Sequence, residues 1–235
     1  MRMRWHDLLF LHWPITENLL RPLVPAELEL ETFDGSAWLG VIPFTMSGIR
    51  LRGCPPVPGT TAFAEINVRT YVRLGERTGV WFFSLDAASR VAVRAARWWF
   101  GLPYHDAEFG VDRVGEGVRY RSRRTGTASE VGFEARYGPA GGPSAAGPGT
   151  IEHFLTERYS LFSRRRGRLL IGDIDHEPWP LQRAEVALER NTMAGPLGLR
   201  LGEAPALQHF ARQLEVVAWS PVPPRRPARS TGPFG

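Results

Sequence analysis

The sequence predicts a β-rich α+β fold whose strands form a barrel or a strongly curved sheet. Three observations predict it. Segments rich in β-branched and aromatic residues recur along the chain, turn residues separate them at short intervals, and only a few segments show helical spacing. With 235 residues, 43% of them hydrophobic, the chain can bury a large core. We expect residues 1–222 to form a single domain and the Pro- and Arg-rich residues 223–235 a disordered tail.

The first half of the chain predicts strands joined by tight turns. We expect these strands at residues 5–13, 28–33, 37–44, 61–74 and 80–87. Residues 16–25 suit a short helix with Thr16 as N-cap, and the Asp-Gly-Ser sequence between the second and third strands predicts a hairpin. The spacing of apolar residues then changes, and residues 88–100 predict a helix ended by Gly101 and Pro103.

The second half predicts further strands and a second helix. We expect strands at residues 104–112, 117–124, 129–137 and 209–222, and a hairpin over 159–177 that turns at Gly167. Residues 138–149 are rich in Gly, Pro and Ala and predict a flexible loop. Residues 150–158 predict a helix.

All 29 basic residues of the chain are arginine. Without lysine the protein cannot form a Schiff base or place a P-loop lysine on a nucleotide phosphate, and arginine cannot substitute as a nucleophile. The net charge of +5 raises the alternative of nucleic-acid binding. The basic clusters at 119–124, 164–168 and 223–229 lack interleaved aromatic residues, which favours solvated surfaces over a nucleic-acid interface.

Several other function classes lack their sequence signals. The six histidines and the single Cys54 show no metal-ligand spacing, and no Ser lies in a Gly-x-Ser-x-Gly motif. The acidic residues of 173–179 are interpreted as an exposed edge rather than a metal site. We therefore expect no metal and no cofactor. The apolar run at residues 8–15 is too short for a membrane span and lacks a cleavage site, so we predict a cytoplasmic protein.

The strand at residues 65–73, EINVRTYVR, carries an unusual set of polar side chains. Alternation places Glu65, Asn67, Arg69 and Tyr71 on one face of the strand. If this face lines a cavity, its charged groups form a candidate site for chemistry. The alternative is a structural Glu–Arg salt bridge along the strand.

Long segments of the chain resemble the YqjF-like proteins, a family of unknown function. These segments read HWPITENLLRPLVPAELELETFDGSAWLGVIPF, NVRTYV, FFSLDA, LPY, FLTERY and HEPWPL. That family is more remotely similar to acetoacetate decarboxylase and its relatives. The resemblance implies a closed, cone-like antiparallel β-barrel with a few peripheral helices.

The resemblance to the decarboxylase also places individual residues. Phe63-Ala64-Glu65 stands at the decarboxylase Tyr-x-Glu, and Arg97, Gly101 and Pro103 fit the helix-and-corner pattern that precedes its lysine pair. Tyr104 and His105 occupy the two lysine positions, and Trp98 replaces the glutamate after the arginine. The resemblance implies that the barrel and Glu65 are retained while imine chemistry is lost.

Two hypotheses use this site, and a third does not. In the first, Glu65 acts as a general acid or base with Tyr104 and His105 as donors to a developing oxyanion. The small-molecule substrate, which carries a carboxylate or an enolate, is held by residues of the same site, namely Arg69, Arg97, Asn67 and Phe63. The second hypothesis is non-catalytic binding of a small molecule in the same cavity. The third is interaction through the arginine-rich surface. The sequence carries no interface signature, so a homo-oligomer is neither predicted nor excluded by it.

Overall fold

The computed structural model describes residues 1–50, 62–88 and 101–224. Twelve strands lie within these ranges: β1 Arg2–Ile15, β2 Glu29–Leu30, β3 Ala37–Arg50, β4 Ala62–Leu74, β5 Arg77–Ala87, β6 Tyr104–Val114, β7 Gly117–Arg124, β8 Gly132–Ser144, β9 Ser160–Arg165, β10 Arg168–Asp175, β11 Leu181–Asn191 and β12 Leu207–Ala218. The helices are α1 Glu17–Leu20 and α2 Ile151–Thr156, with 3-10 turns at Arg21–Leu23 and Gly195–Leu197. The predicted helix at 88–100 lies outside the described residues except for its first residue. Cys54 and residues 225–235 of the predicted tail also lie outside them.

A single twelve-stranded sheet closes on itself in two places. Its order is β10-β9-β5-β6-β7-β8-β11-β12-β1-β3-β4-β2, with further pairings β5–β4 and β10–β12. The β5–β4 pairing closes a ring of nine strands that runs from β4 through β5, β6, β7, β8, β11, β12, β1 and β3. The β10–β12 pairing closes a second ring, of seven strands, through β9 and β10. This architecture confirms the predicted β-rich fold with few helices.

The strands shared by the two rings, β1, β3, β4, β5 and β12, bury both faces along much of their length. One face fills the nine-strand ring with Leu9, Leu11, Val41, Ile66, Val68, Tyr120, Phe133 and their neighbours. The other face carries Phe10, Ile42, Phe44, Leu214 and Val216, which pack with Trp179 on the side of the seven-strand ring. Alternate residues of the shared strands therefore belong to two separate cores.

The predicted Asp-Gly-Ser turn forms, but the hairpin around it does not. Phe33 and Ser36 form an isolated bridge around the turn, and Asp34 and Gly35 both have positive φ. The preceding strand β2 pairs with β4 instead of β3. Strand β3 pairs with β4 from Leu39, which lies opposite Thr70. The C-terminal residues of β4 beyond Thr70 therefore pair with β2.

The predicted loop at 138–149 is also partly wrong. Strand β8 continues to Ser144 because β11, which the sequence patterns did not reveal, pairs with it as far as Leu181. Tertiary pairing thus overrides the Gly- and Pro-rich composition of this segment. Within the described ranges, no helix is long and apolar enough to cross a membrane.

Gly79 permits the close approach of β5 to β9. A methyl group at this position would lie 2.4 Å from the carbonyl oxygen of Ser160 and 2.8 Å from the Phe162 ring. We expect Gly79→Ala to destabilise the protein by about 1–3 kcal/mol, because backbone atoms cannot yield to the extra methyl. Gly142→Ala is the matched control, since nothing lies within 4 Å of its added methyl. Equal urea midpoints for the two variants would contradict this account.

Candidate functional site

The polar side chains of β4 lie inside the seven-strand ring. We call Glu65, Asn67, Arg69 and Tyr71, which share one face of β4, the β4 file. Glu65, Asn67 and Tyr71 are buried, with 3%, 5% and 0% of their surface exposed, and Arg69 is half-buried. The β4 file therefore faces the protein interior rather than bulk water.

Glu65 is held as a buried, neutral carboxylic acid. Its cross-strand neighbours on the same face are Phe44 and Ala87. The Tyr104 hydroxyl donates a 2.9 Å hydrogen bond to Oε2 of Glu65. The pKa of Glu65 is raised to about 8, chiefly by burial; the Tyr104 hydrogen bond acts in the opposite direction, and the nearby Asp86 carboxylate adds a smaller rise. Burial likewise raises the pKa of Tyr104 well above its usual value, so both groups hold their protons at neutral pH.

The alternative of a Glu65–Arg69 salt bridge is not found among the described residues. No ion pair of Glu65 occurs there. The two residues are four positions apart on one strand, which separates their Cα atoms by about 13 Å. Glu65 and Arg69 instead occupy separate positions in the β4 file, with Asn67 between them and Tyr71 beyond Arg69.

Arg69 is a half-buried cation without a carboxylate partner in the described part of the chain. Its Nη2 donates a 3.1 Å hydrogen bond to the carbonyl oxygen of Leu155 in α2. Its guanidinium lies over the rings of Phe10 and Tyr71, 5.8 and 5.6 Å from their centroids. Its Nε is buried and has no hydrogen-bond partner among the described residues. By contrast, the neighbouring Arg158 pairs with Glu31.

His12 is a site residue that the sequence patterns did not single out. It is fully buried, and its Nε2 lies 2.7 Å from the Tyr71 hydroxyl. Burial lowers its pKa well below the usual value and the charge of Arg69 adds to this effect, so His12 is neutral. Its Nδ1 has no partner in the described ranges. Gly40 lies between His12 and Arg69 in the sheet, and a methyl there would come within 3.2 Å of the His12 ring.

Two of the segments that resemble the YqjF-like family, FLTERY and HEPWPL, position an aromatic wall of this site. Glu157 accepts hydrogen bonds from the Trp179 backbone N–H, at 3.0 Å, and from the Tyr159 hydroxyl, at 2.6 Å. Trp179 in turn packs edge-on against Phe10, with ring centroids 5.0 Å apart. Although Glu157 and Arg158 are adjacent in the chain, they have different partners, since Arg158 pairs with Glu31.

The other predicted site residues divide into four groups. Tyr104 joins Glu65, and Phe63 packs beside the same core as Phe44. His105 lies next to Tyr104 in β6 and pairs with Asp86, so alternation directs it to the opposite face, away from Glu65. Arg97 lies outside the described residues. Oδ1 of Asn67 is buried without a partner in the described part of the chain.

Two further features bear on the choice of site. Within the described ranges, no group of three or more His, Cys, Asp and Glu side chains is arranged to hold a metal ion. A cavity of about 870 Å³ opens among β7, β8 and β11, and Glu116, Arg136 and Arg183 are among its lining residues. No residue of the β4 file lines this cavity. Its charged lining residues are exposed, and Arg136 and Glu116 are ion-paired, as is typical of a surface groove.

Comparisons with known proteins identify relatives of this chain. The model of the family DUF2071, described as an uncharacterized conserved protein, matches residues 2–215. "Uncharacterized protein YqjF" of Bacillus subtilis (strain 168) is 42% identical over 219 residues, which cover 93% of this chain and 90% of that protein.

Solved structures with similar folds have low sequence identity to this chain. Acetoacetate decarboxylase from Legionella pneumophila aligns with a TM-score of 0.61 and 13% identity, over 94% of this chain and 87% of that one. An acetoacetate decarboxylase-like enzyme from Sphingomonas wittichii RW1 aligns with a TM-score of 0.62 and 14% identity, over 95% and 92%. The enduracididine biosynthesis enzyme MppR, complexed with the condensation product of pyruvate and imidazole 4-carboxaldehyde, gives 0.63 and 13%, over 94% and 88%. These similarities show a shared fold.

Proposed function

Since this chain belongs to the DUF2071 family of uncharacterized conserved proteins and shares the acetoacetate decarboxylase fold, we propose that its β4 file binds a small organic acid and transfers a proton to or from it. One observation carries the proposal. A buried neutral acid, Glu65, and a half-buried cation without an acidic partner in the described ranges, Arg69, lie four residues apart on one face of β4. Such groups are costly to bury, and functional sites concentrate them.

Arg69 supplies the binding end of this site. Its Nε and the Nδ1 of His12 are buried polar atoms that the described protein groups leave without hydrogen bonds. A guanidinium forms charge-assisted hydrogen bonds with a carboxylate, which are stronger than those between neutral groups. Among the proteins of similar fold, MppR has been solved with pyruvate, an oxo acid, which supports a ligand of this class.

Glu65 supplies the reactive end. As a general acid it donates its proton to the carbonyl oxygen of the ligand, and the resulting carboxylate takes a proton from the carbon beside that carbonyl, which leaves the enol; the reverse transfers restore the keto form and the protonated Glu65. The Tyr104 hydroxyl, 2.9 Å away, hydrogen-bonds the carboxyl group through both steps. An imine route is excluded for this chain by its lack of lysine. The reaction class is therefore proton transfer at a carbonyl compound.

Non-catalytic binding in the same site is the second candidate. The observation that favours it is the position of His105, which lies on the opposite face of β6 from Tyr104 and leaves the site with fewer groups that exchange protons. The aromatic wall of Phe10, Phe44 and Trp179 suits the apolar part of a bound acid in either case.

Nucleic-acid binding through the arginine surface has less support. In the basic cluster at 119–124, Arg119, Arg121 and Arg123 are each ion-paired with a carboxylate of a neighbouring strand. These pairs neutralise much of the positive charge that would attract phosphates.

Deuterium exchange tests the proposal. Pyruvate, the oxo acid with which MppR has been solved, is incubated with the protein in D2O, and deuterium exchange of the methyl protons beside its carbonyl is followed by NMR. We expect Glu65→Gln to slow the exchange by about 100-fold or more, because general acid–base catalysis contributes about 10²–10⁴. We expect Arg69→Gln to weaken binding by about 10-fold or more through the lost charged hydrogen bonds.

Arg73→Gln is the matched control for the arginine variant. Arg73 lies on the same strand, but it is exposed and already paired with Glu29, so we expect unchanged binding and exchange. Exchange that is unaffected by Glu65→Gln would leave only the binding role. Failure of the wild-type protein to bind the acid would overturn both candidates.

A further inference from the structure

We infer that the tip of the β9–β10 hairpin, residues 164–168, and the chain that follows Val222 form one basic surface, which binds the phosphate backbone of a nucleic acid. This interaction is independent of the proposed function and uses none of the residues of the β4 file. The two basic clusters involved are 164–168 and 223–229. Each cluster alone is typical of a solvated surface, but the fold brings the start of the second toward the first.

The hairpin tip presents four arginines to solvent. It reads Arg-Arg-Arg-Gly-Arg, and all five of these residues, 164–168, are exposed. The residues on either side of it are buried, namely Phe162, Ser163, Leu169 and Leu170. Arg164 pairs with Glu27, and both side chains of this pair remain partly exposed. The tip is therefore a compact, solvent-facing group of positive charges on a hairpin whose base is fixed in the core.

Arg166 has an unusual backbone conformation for its residue type. Arg165 pairs with Arg168, which leaves Arg166 and Gly167 as a two-residue loop with φ values of 50° and 77°. Positive φ at both positions defines a type I′ turn, whose first position favours Asn, Asp or Gly. The other described non-glycine residues with positive φ are both aspartates, which tolerate it better. Local structure thus disfavours an arginine here, which indicates a role for its side chain.

The chain beyond β12 runs along β10 toward the hairpin tip. Strand β12 is antiparallel to β10, and the chain keeps this direction after β12 ends. The Trp219 N–H donates a 2.9 Å hydrogen bond to the carbonyl oxygen of Asp173, and Val222 then forms a bridge with Ile171. Because β10 begins at Arg168, this segment approaches the tip as it proceeds.

The sequence adds three arginines directly after this segment. Pro224 is the last described residue, and Arg225, Arg226 and Arg229 follow it. One peptide bond joins Arg225 to Pro224, and consecutive Cα atoms lie about 3.8 Å apart. The second basic cluster therefore leaves the described fold beside the start of β10. The exposed Asp175 lies at the opposite end of that strand, so the two clusters concentrate positive charge at one end.

A phosphate backbone matches this surface better than a lipid surface does. Guanidinium groups form paired, charge-assisted hydrogen bonds with phosphate oxygens, and a series of them matches a row of phosphates. Surfaces that bind lipid combine basic residues with apolar side chains that enter the membrane, whereas the hairpin tip carries only arginines and a glycine. Farther along β10, the exposed Trp219 ring provides a surface on which a base can stack.

Fluorescence anisotropy with the full-length protein tests this inference. The probes are a fluorescein-labelled oligothymidylate of about 20 nucleotides and a labelled DNA duplex of about the same length. Each probe is titrated at salt concentrations from about 50 to 200 mM. We expect binding that weakens steeply with salt, because each phosphate contact contributes about −0.7 for a single strand and about −0.9 for a duplex to the slope of log K against log salt. The probe that binds more tightly identifies the strand form.

Two double variants assign the contacts to the two clusters. Arg166→Asn with Arg168→Gln removes two charges from the hairpin tip, and Arg225→Gln with Arg226→Gln removes two from the end of the chain. We expect each double variant to weaken binding by about 10-fold or more and to reduce the single-strand salt slope by about 1.4. Asn suits a type I′ turn better than Arg does. Arg166→Asn alone should therefore lower the affinity while its urea midpoint stays the same or rises, which separates lost binding from lost folding.

The matched control removes the same number of charges from another basic cluster. Arg121→Gln with Arg123→Gln changes two exposed arginines that pair with Asp112 and Glu108, and we expect wild-type binding. An equal loss in this control would show that net charge alone attracts the nucleic acid, which would overturn the assignment to the hairpin tip. Failure of the wild-type protein to bind either probe at the lowest salt would overturn the inference. Binding to vesicles of phosphatidylserine and phosphatidylcholine, without binding to either probe, would do the same and assign the surface to a membrane.

Discussion

Arg124→Leu should destabilise the protein by about 3–5 kcal/mol, because it leaves the Asp86 carboxylate buried without a counter-charge. Only 6% of the Arg124 side chain and 1% of the Asp86 side chain are exposed. The guanidinium forms hydrogen bonds of 2.8–3.1 Å to both carboxylate oxygens through Nε and Nη2. Urea unfolding at pH 7, compared with the wild-type protein, measures the loss.

The neighbouring residue provides the control for this prediction. Arg123 also pairs with a carboxylate, that of Glu108, but both side chains are about two-thirds exposed. We therefore expect Arg123→Leu to cost less than about 1 kcal/mol. The double variant Asp86→Leu with Arg124→Leu should regain stability relative to Arg124→Leu alone, because no buried charge remains. Similar losses for the two single variants would show that burial of the pair has no special role.

The sequence predicts those parts of this fold that local patterns determine. Strand β4 was expected at residues 61–74 and forms at Ala62–Leu74, because alternation and β-branched residues act within the segment itself. The turn at Gly167 and the helix predicted at 150–158, which forms at Ile151–Thr156, are equally local. The pairing of β2 with β4 was missed because it depends on where β3 begins, which no local pattern states.

The same distinction explains which site residues the sequence could reveal. Glu65 and Arg69 were assigned to one face by alternation along a single strand, and Tyr104 was placed beside Glu65 by the family resemblance. Tyr104 begins the predicted strand as it begins β6, but His105 was assigned to the site with it because the two residues occupy the paired lysine positions of the decarboxylase, and alternation along the strand separates them. His12 reaches the site only through the register of β1 with β3 and the absence of a side chain at Gly40.

Glu65→Gln should stabilise the protein at pH 8 and leave its stability near pH 4 almost unchanged. The pKa of Glu65 is raised from its ordinary 4.5 to about 8 by burial. Between these values the unfolded chain releases this proton and the folded protein keeps it, so the wild-type protein loses stability as pH rises. A shift of this size corresponds to a loss on the order of 4 kcal/mol across the interval. Glutamine does not ionise, so the variant avoids this loss.

Urea unfolding of Glu65→Gln and of the wild-type protein from pH 4 to pH 9 measures the difference in their stability. All other groups titrate in both proteins, so their contributions cancel in this difference. Glu215→Gln is the control, because the Glu215 side chain is 67% exposed, and its curve of stability against pH should stay parallel to that of the wild-type protein.

Tyr104→Phe adds a second test with a defined sign. The Tyr104 hydrogen bond lowers the pKa of Glu65, so its loss raises that pKa and extends the decline in stability to higher pH. A constant difference between Glu65→Gln and wild type over the whole range would mean that Glu65 is ionised in the folded protein. The proposed general acid would then have no proton to donate at neutral pH.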